Sequence, residues 1–79
     1  MDPDQIKSLL EETLNDCQIT VEVEGSHVNL VVVGDVFIDK RPVQRQQLVY
    51  GALKEQIASG VVHAVNMKTY TIQEWQQQA

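Results

Sequence analysis

The chain has 79 residues, with six Lys+Arg against eleven Asp+Glu and a formal net charge of -5. That length admits one domain, residues 1–79, and no cleft between domains, while the acid excess argues against tight, sequence-independent nucleic-acid binding, which rests on Lys and Arg neutralising phosphates. At 43% hydrophobic and 22% charged the chain reads as globular rather than disordered, and its longest unbroken apolar run, Leu30–Val33, is far too short to span a membrane.

The first predicted element is a helix. Asp2 can cap it, and Pro3 sits in the first turn, where its missing N–H costs nothing. Ile6, Leu9, Leu10 and Leu14 share one face at helical spacing, and Asn15-Asp16 ends the run. Ile19, Val21 and Val23 then alternate with Thr20, Glu22 and Glu24, the period of a half-buried strand. Gly25-Ser26 is a tight-turn dipeptide. Val28, Leu30 and Val32 alternate again, but Val31 and Val33 make the opposite side apolar too, which predicts a strand in mid-sheet.

Gly34-Asp35 breaks that strand, and Phe37 to Arg41 reads as a loop into a second helix that begins at Pro42. Leu48, Val49, Ala52, Leu53 and Ile57 form its apolar stripe, with Gly51 a point of division. Ser59-Gly60 ends it, Gly60 suiting a left-handed cap. Val61–Tyr70 is the third predicted strand, and Thr71-Ile72-Gln73-Glu74 is a capping box that opens a last short helix carrying Trp75. The expected order is αββα(α)βα, an α+β fold. A strand, helical crossover and strand should run parallel, so the three-stranded sheet should be mixed, with helices mainly on one face and the other face thinly covered.

The chemistry-bearing motifs are few. The chain holds no Gly-rich phosphate loop, no Cys-x-x-Cys, no His-Glu-x-x-His and no Gly-x-Ser-x-Gly, so it is not expected to be an enzyme. Its single cysteine, Cys17, cannot form an internal disulfide, which fits a reducing, cytoplasmic setting. Residues 1–14 carry early acids and no apolar stretch of signal-peptide type, so export is not expected. Two histidines remain, His27 at the turn end of the second strand and His63 within the third. Each reads first as an inert strand-edge histidine. Each is also a candidate metal ligand, since neutral imidazole binds iron and zinc. Two imidazoles do not complete a tetrahedral site, so any metal would need ligands from another molecule. Lys40-Arg41-Pro42-Val43-Gln44-Arg45 is the one basic cluster, and Lys54 and Lys68 extend the positive half of the chain. Cations at a helix start oppose its dipole, which points to a surface for an acidic or phosphate-bearing partner.

Several segments together resemble the BolA family: Phe37, then Arg45 with Leu48-Val49-Tyr50, then Val62-His63-Ala64, then Lys68-Thr69-Tyr70-Thr71 and Glu74-Trp75. The similarity runs from about Ile6 to Trp75. Gly25-Ser26-His27 and Gln46-Gln47-Leu48-Val49-Tyr50 look most like the family's bacterial IbaG/YrbA branch. The resemblance implies a class II KH-like fold. It also implies partnership with monothiol, CGFS-type glutaredoxins, the two proteins and glutathione sharing a [2Fe-2S] cluster, with no cofactor expected in the isolated protein. In that family the glutaredoxin cysteine and a glutathione thiol hold one side of the cluster. The family's C-terminal histidine, here His63, ligates the other, and the only candidate for a second ligand from the first loop is His27. The residues expected to meet that partner are Arg41, Arg45, Tyr50, Lys68 and Thr69.

The chain also departs from the family. Its first loop lacks the added Cys or His of many members. Arg45-Gln46-Gln47 replaces the frequent Arg-His-Arg, and Asp39 stands where a glycine is usual. Three functional readings follow. The first is an iron–sulfur accessory protein acting with a glutaredoxin. The second is a nucleic-acid-binding regulator using Lys40, Arg41 and Arg45, weakened by the absence of a Gly-x-x-Gly clamp. The third is a plain interaction domain, homodimeric through the thinly covered sheet face.

Overall fold

In the computed structural model, which describes residues 2–78, helix α1 (Pro3–Thr13) starts where Asp2 caps it. The Asp2 carboxylate accepts the Gln5 N–H at 2.9 Å, and the Gln5 side chain accepts the Asp2 N–H at 3.1 Å. Ile6 and Leu10 are buried along its inner face, with Leu14 at its end. The single-domain expectation for residues 1–79 reaches one residue beyond the described chain at each end.

Strands β1 (Gln18–Glu24) and β2 (His27–Val33) form the hairpin, with Glu24 opposite His27 across Gly25-Ser26. Gly25 takes φ +61°, which is open to glycine at no steric cost. β2 is central: it pairs antiparallel with β1 and parallel with β3 (Ala64–Tyr70), giving the order β1-β2-β3. The mixed three-stranded sheet is as the helical crossover predicts, and the mid-sheet position of the second strand is as its two apolar sides predict.

The pleat sorts the two faces. Ile19, Val28, Leu30 and Val32 are buried against the helices, with Val21, Val23, Val65 and Met67 packed beside them. The opposite face presents Thr20, Glu22, Asn29, Val31, Asn66 and Lys68, and no residue of that set is buried. Thin cover of one face is thus a property of the fold.

Three segments differ from the sequence reading. Phe37 is not in a loop. A 3-10 turn over Asp35–Phe37 drives it into the core, where it is fully buried beside Ile6, Val49 and Leu53. The second helical stretch divides at Leu53 rather than at Gly51: α2 (Pro42–Ala52) stops there, and α3 (Lys54–Ala58) restarts from its non-helical backbone at φ -112°, ψ 15°. Leu53 is fully buried at that break, and Ile57 beyond it is exposed rather than on the inner stripe.

The third strand begins at Ala64, not at Val61. Gly60, at φ +83°, turns the chain out of α3. The Val62 N–H then donates to Gln56 O at 3.1 Å and the His63 N–H to Ser26 O at 2.9 Å. Residues 61–63 bridge the helix end to the sheet, so strand alternation cannot be carried back to His63.

Helix α4 (Ile72–Gln78) opens with the expected box. Glu74 accepts the Thr71 N–H at 2.7 Å, and the Thr71 hydroxyl accepts the Glu74 N–H at 3.1 Å. The Trp75 and Tyr70 rings lie 5.3 Å apart and tilted, holding the helix against the strand end. No described helix is long and apolar enough to cross a membrane.

Candidate functional site

The hairpin turn brings the two histidines to one corner. His27 opens β2, opposite Ala64 of β3, and His63 immediately precedes Ala64. Ser26 O ties the corner together by accepting the N–H of His63 at 2.9 Å and that of Ala64 at 3.4 Å. Both histidines are exposed. Among the described residues neither imidazole takes part in a hydrogen bond or ion pair, so both rings present free nitrogens. Ser26 O thus links the backbone just before His27 to that of His63, and His27 pairs with the residue that follows His63. Gly60 borders His63 closely: a methyl group at Gly60 would sit 3.8 Å from His63 Nε2. Ile57 and Val61 add exposed apolar surface on the segments that lead into His63.

As a metal site this corner is a half-site. Among the described residues no three His, Cys, Asp or Glu side chains gather into a set that could hold a metal ion. The donor chemistry of two neutral imidazoles suits one iron of a [2Fe-2S] cluster, as in Rieske centres, with the other iron held by thiolates from elsewhere. The group therefore fits only if a second molecule completes it.

Cys17 is not at this corner. It precedes β1 at the end away from the turn, and its thiol packs against Gly34. Burial, and then the Asp16 carboxylate, push its pKa up. Both causes oppose the thiolate that a metal or nucleophile needs.

The residues expected to meet a partner separate into two groups. Tyr50 and Lys68 line one groove of 630 Å³ over the open sheet face, together with Gln46, Asn29 and Asn66. The Asn66 amide donates to the Asn29 amide oxygen at 3.2 Å across that floor. Arg45 is elsewhere and is occupied within the fold. Its Nε donates to Lys40 O at 3.1 Å, and one terminal nitrogen to Thr69 O at 3.4 Å. Its two terminal nitrogens meet the Glu74 carboxylate at 2.8 and 3.4 Å, and the guanidinium lies 5.7 Å from the Phe37 ring centre. With its side chain only 14% exposed, Arg45 is a structural clamp rather than a free cation. Of the basic cluster, Lys40 is half-buried, and Arg41 stays exposed at the start of α2, where Gln44 caps its N–H at 2.9 Å.

The clamp of Arg45, Thr71 and Glu74 and the asparagine pair were not read from the sequence as sites. The box Thr71-x-x-Glu74 was visible, but its acid's second partner lies 29 residues away. The asparagines carried a signal only as polar residues inside strands, since Asn29 shares its side of β2 with Val31 and Val33.

The chain is similar to known proteins over nearly its whole length. Residues 6–74 match the family described as BolA-like protein. The chain is 40% identical over 75 residues to the acid stress protein IbaG of Escherichia coli, covering 95% of this chain and 89% of that protein. It is 39% identical over 51 residues to the E. coli protein named DNA-binding transcriptional regulator BolA, covering 65% of this chain and 48% of that protein. The solved structure of a BolA homologue from Coxiella burnetii superposes with a TM-score of 0.84 at 31% identity, covering 96% of this chain and 97% of the other.

Proposed function

Because the chain belongs to the BolA-like protein family, we propose that it is an iron–sulfur accessory protein that binds a monothiol glutaredoxin carrying glutathione and shares a [2Fe-2S] cluster with it. His63 is the first ligand from this chain and His27 the second. The observation that carries the reading is the corner at Ser26. Two exposed, uncommitted histidines belong to the two segments joined there, and no set of three metal-ligating side chains occurs among the described residues. A half-site of this kind has a use only when another molecule supplies the thiolates.

Imidazole in place of thiolate raises a cluster's potential. Imidazole also ligates only in its neutral form, so acid weakens the attachment. Both properties suit transfer or sensing better than storage. The similar E. coli protein is named an acid stress protein, which accords with an acid-labile cluster. The nucleic-acid reading draws on the name of the second E. coli relative. It has lost its third cation here, because Arg45 is engaged in the fold, leaving Lys40 and Arg41.

The test is visible circular dichroism of the protein mixed with a monothiol glutaredoxin, iron, sulfide and glutathione. His63→Ala should abolish the spectrum of the mixed-ligand cluster while the protein stays folded. An unchanged spectrum for that variant overturns the ligand assignment.

A further inference from the structure

We propose that the free edge of β3, with the groove beside it, binds an extended peptide of a partner protein as a fourth strand, one in which apolar residues alternate with acidic ones. This surface lies apart from the histidine corner and does not depend on a cluster.

The orientation of the β3 backbone follows from its hydrogen bonds. Tyr70 O accepts the Gly34 N–H at 2.9 Å, and the Ala64 N–H donates to Ser26 O at 3.4 Å, so the even-numbered residues of β3 turn their main-chain groups toward β2. The odd-numbered residues Val65, Met67 and Thr69 therefore turn theirs outward. Arg45 engages the outward Thr69 O at 3.4 Å. Among the described residues nothing engages the outward groups of Val65 and Met67, and both residues line the groove of 630 Å³. An edge of unpaired N–H and C=O groups is a template for another strand.

The groove also defines the strand's side chains. On the helix side it offers the half-buried Val65 and Met67 and the Tyr50 ring, 40% exposed, all suited to apolar side chains. On the open side it offers Lys68 and Asn66, and Lys68 is the only cation of the lining. Successive side chains of an added strand point alternately to these two sides. Lys68 stands on the edge strand itself, whereas the lining's Glu22 lies two strands away on β1, so charge complementarity at the edge selects an acid at the alternate position. A nucleic acid is disfavoured, since one cation accompanied by Glu22 in the same lining cannot neutralise a run of phosphates.

The experiment is selection from a phage-displayed library of random decapeptides on the folded full chain, followed by NMR with one synthetic selected peptide. Enriched sequences should alternate apolar and acidic residues and lack central proline. The peptide should shift the Val65 and Met67 amides and slow their hydrogen exchange. Lys68→Glu, at an exposed site that leaves the fold intact, should weaken binding about tenfold or more, as should N-methylation of the peptide's bonding amides. Three results overturn the proposal: no enrichment over the Lys68→Glu protein, shifts confined to residues away from β3, or the same Val65 and Met67 protection appearing without peptide as the protein self-associates.

Discussion

Arg45 holds Glu74 from 29 residues away, with its two terminal nitrogens at 2.8 and 3.4 Å from the carboxylate oxygens. The same guanidinium reaches Lys40 O before α2 and Thr69 O on β3, and it covers the Phe37 ring. One side chain thus joins the segment before α2, the edge strand and the last helix. Glu74 in turn closes the capping box with Thr71. The short helix α4 has no buried residue of its own, so this clamp and the Tyr70–Trp75 contact supply its attachment.

Arg45→Ala should therefore destabilise the protein by about 2 kcal/mol, through lost charge-assisted bonds and lost cover over Phe37. Arg45→Lys should not restore it, because an ammonium cannot make the fork to a carboxylate and two carbonyls together. Urea midpoints of the two variants measure this. A midpoint for Arg45→Lys equal to wild type would count against the clamp.

The clamp also sets an acid dependence. The hydrogen bond from Arg45, with the Thr71 N–H second, holds the Glu74 carboxyl below its ordinary value. A carboxyl depressed in the fold contributes stability that is complete above its unfolded value, about pH 4.3, and is lost as pH falls through the lower folded value. Unfolding profiles should therefore steepen below about pH 4.3 for the wild type and flatten there for Glu74→Gln. Identical slopes for both proteins would remove Glu74 from the acid response. At neutral pH Glu74→Gln should be less stable than wild type, since it keeps one acceptor and loses the charge.

Much of this architecture could be read from local signals. Asp2 and Thr71 announce helix starts because a cap is a contact over three residues. Alternation placed β1 and β2 because one face of each must be buried. What escaped were the features made by distant contacts. Phe37 looked like loop because it sits in a short stretch between Gly34-Asp35 and Asp39-Lys40 with no helical or strand period, and only the tertiary pocket of Ile6, Val49 and Leu53 makes it core. Val61 and Val62 extended the apolar run of the third strand, but Gln56 O and Ser26 O claim the backbone there. Arg45 read as a surface cation because its four partners lie on other segments. For the candidate site, His63 and His27 were legible as residues, whereas their common corner depends on the parallel pairing of β2 and β3.

Gly34 offers a packing test. Its backbone is extended at φ -178°, which any residue adopts. Its hydrogen atoms nevertheless face Cys17, and a methyl group there would collide with the Cys17 thiol and crowd its Cβ at 3.2 Å. Gly34→Ala should therefore cost about 1–3 kcal/mol by overpacking. Cys17→Ala alone should cost less, and the double variant should recover part of the Gly34→Ala loss, a favourable coupling in a double-mutant cycle. Additive losses would show that the two residues do not press on each other.

Cys17 separates structure from ligation more sharply still. It lies beyond the far end of β1, and seven strand residues at about 3.3 Å each put it roughly 20 Å from the turn that carries His27. Its thiol is half-buried, and burial together with Asp16 raises its pKa. Cys17→Ser should thus leave cluster assembly with a monothiol glutaredoxin unchanged, while His27→Ala should weaken it and His63→Ala abolish it. In the wild type Cys17 should alkylate more slowly than free cysteine near neutral pH, because less of it is thiolate, and unfolding in urea should restore the ordinary rate. Loss of the cluster in Cys17→Ser, with the fold intact by circular dichroism, would move the second ligand away from His27 and require β1 to rearrange on binding.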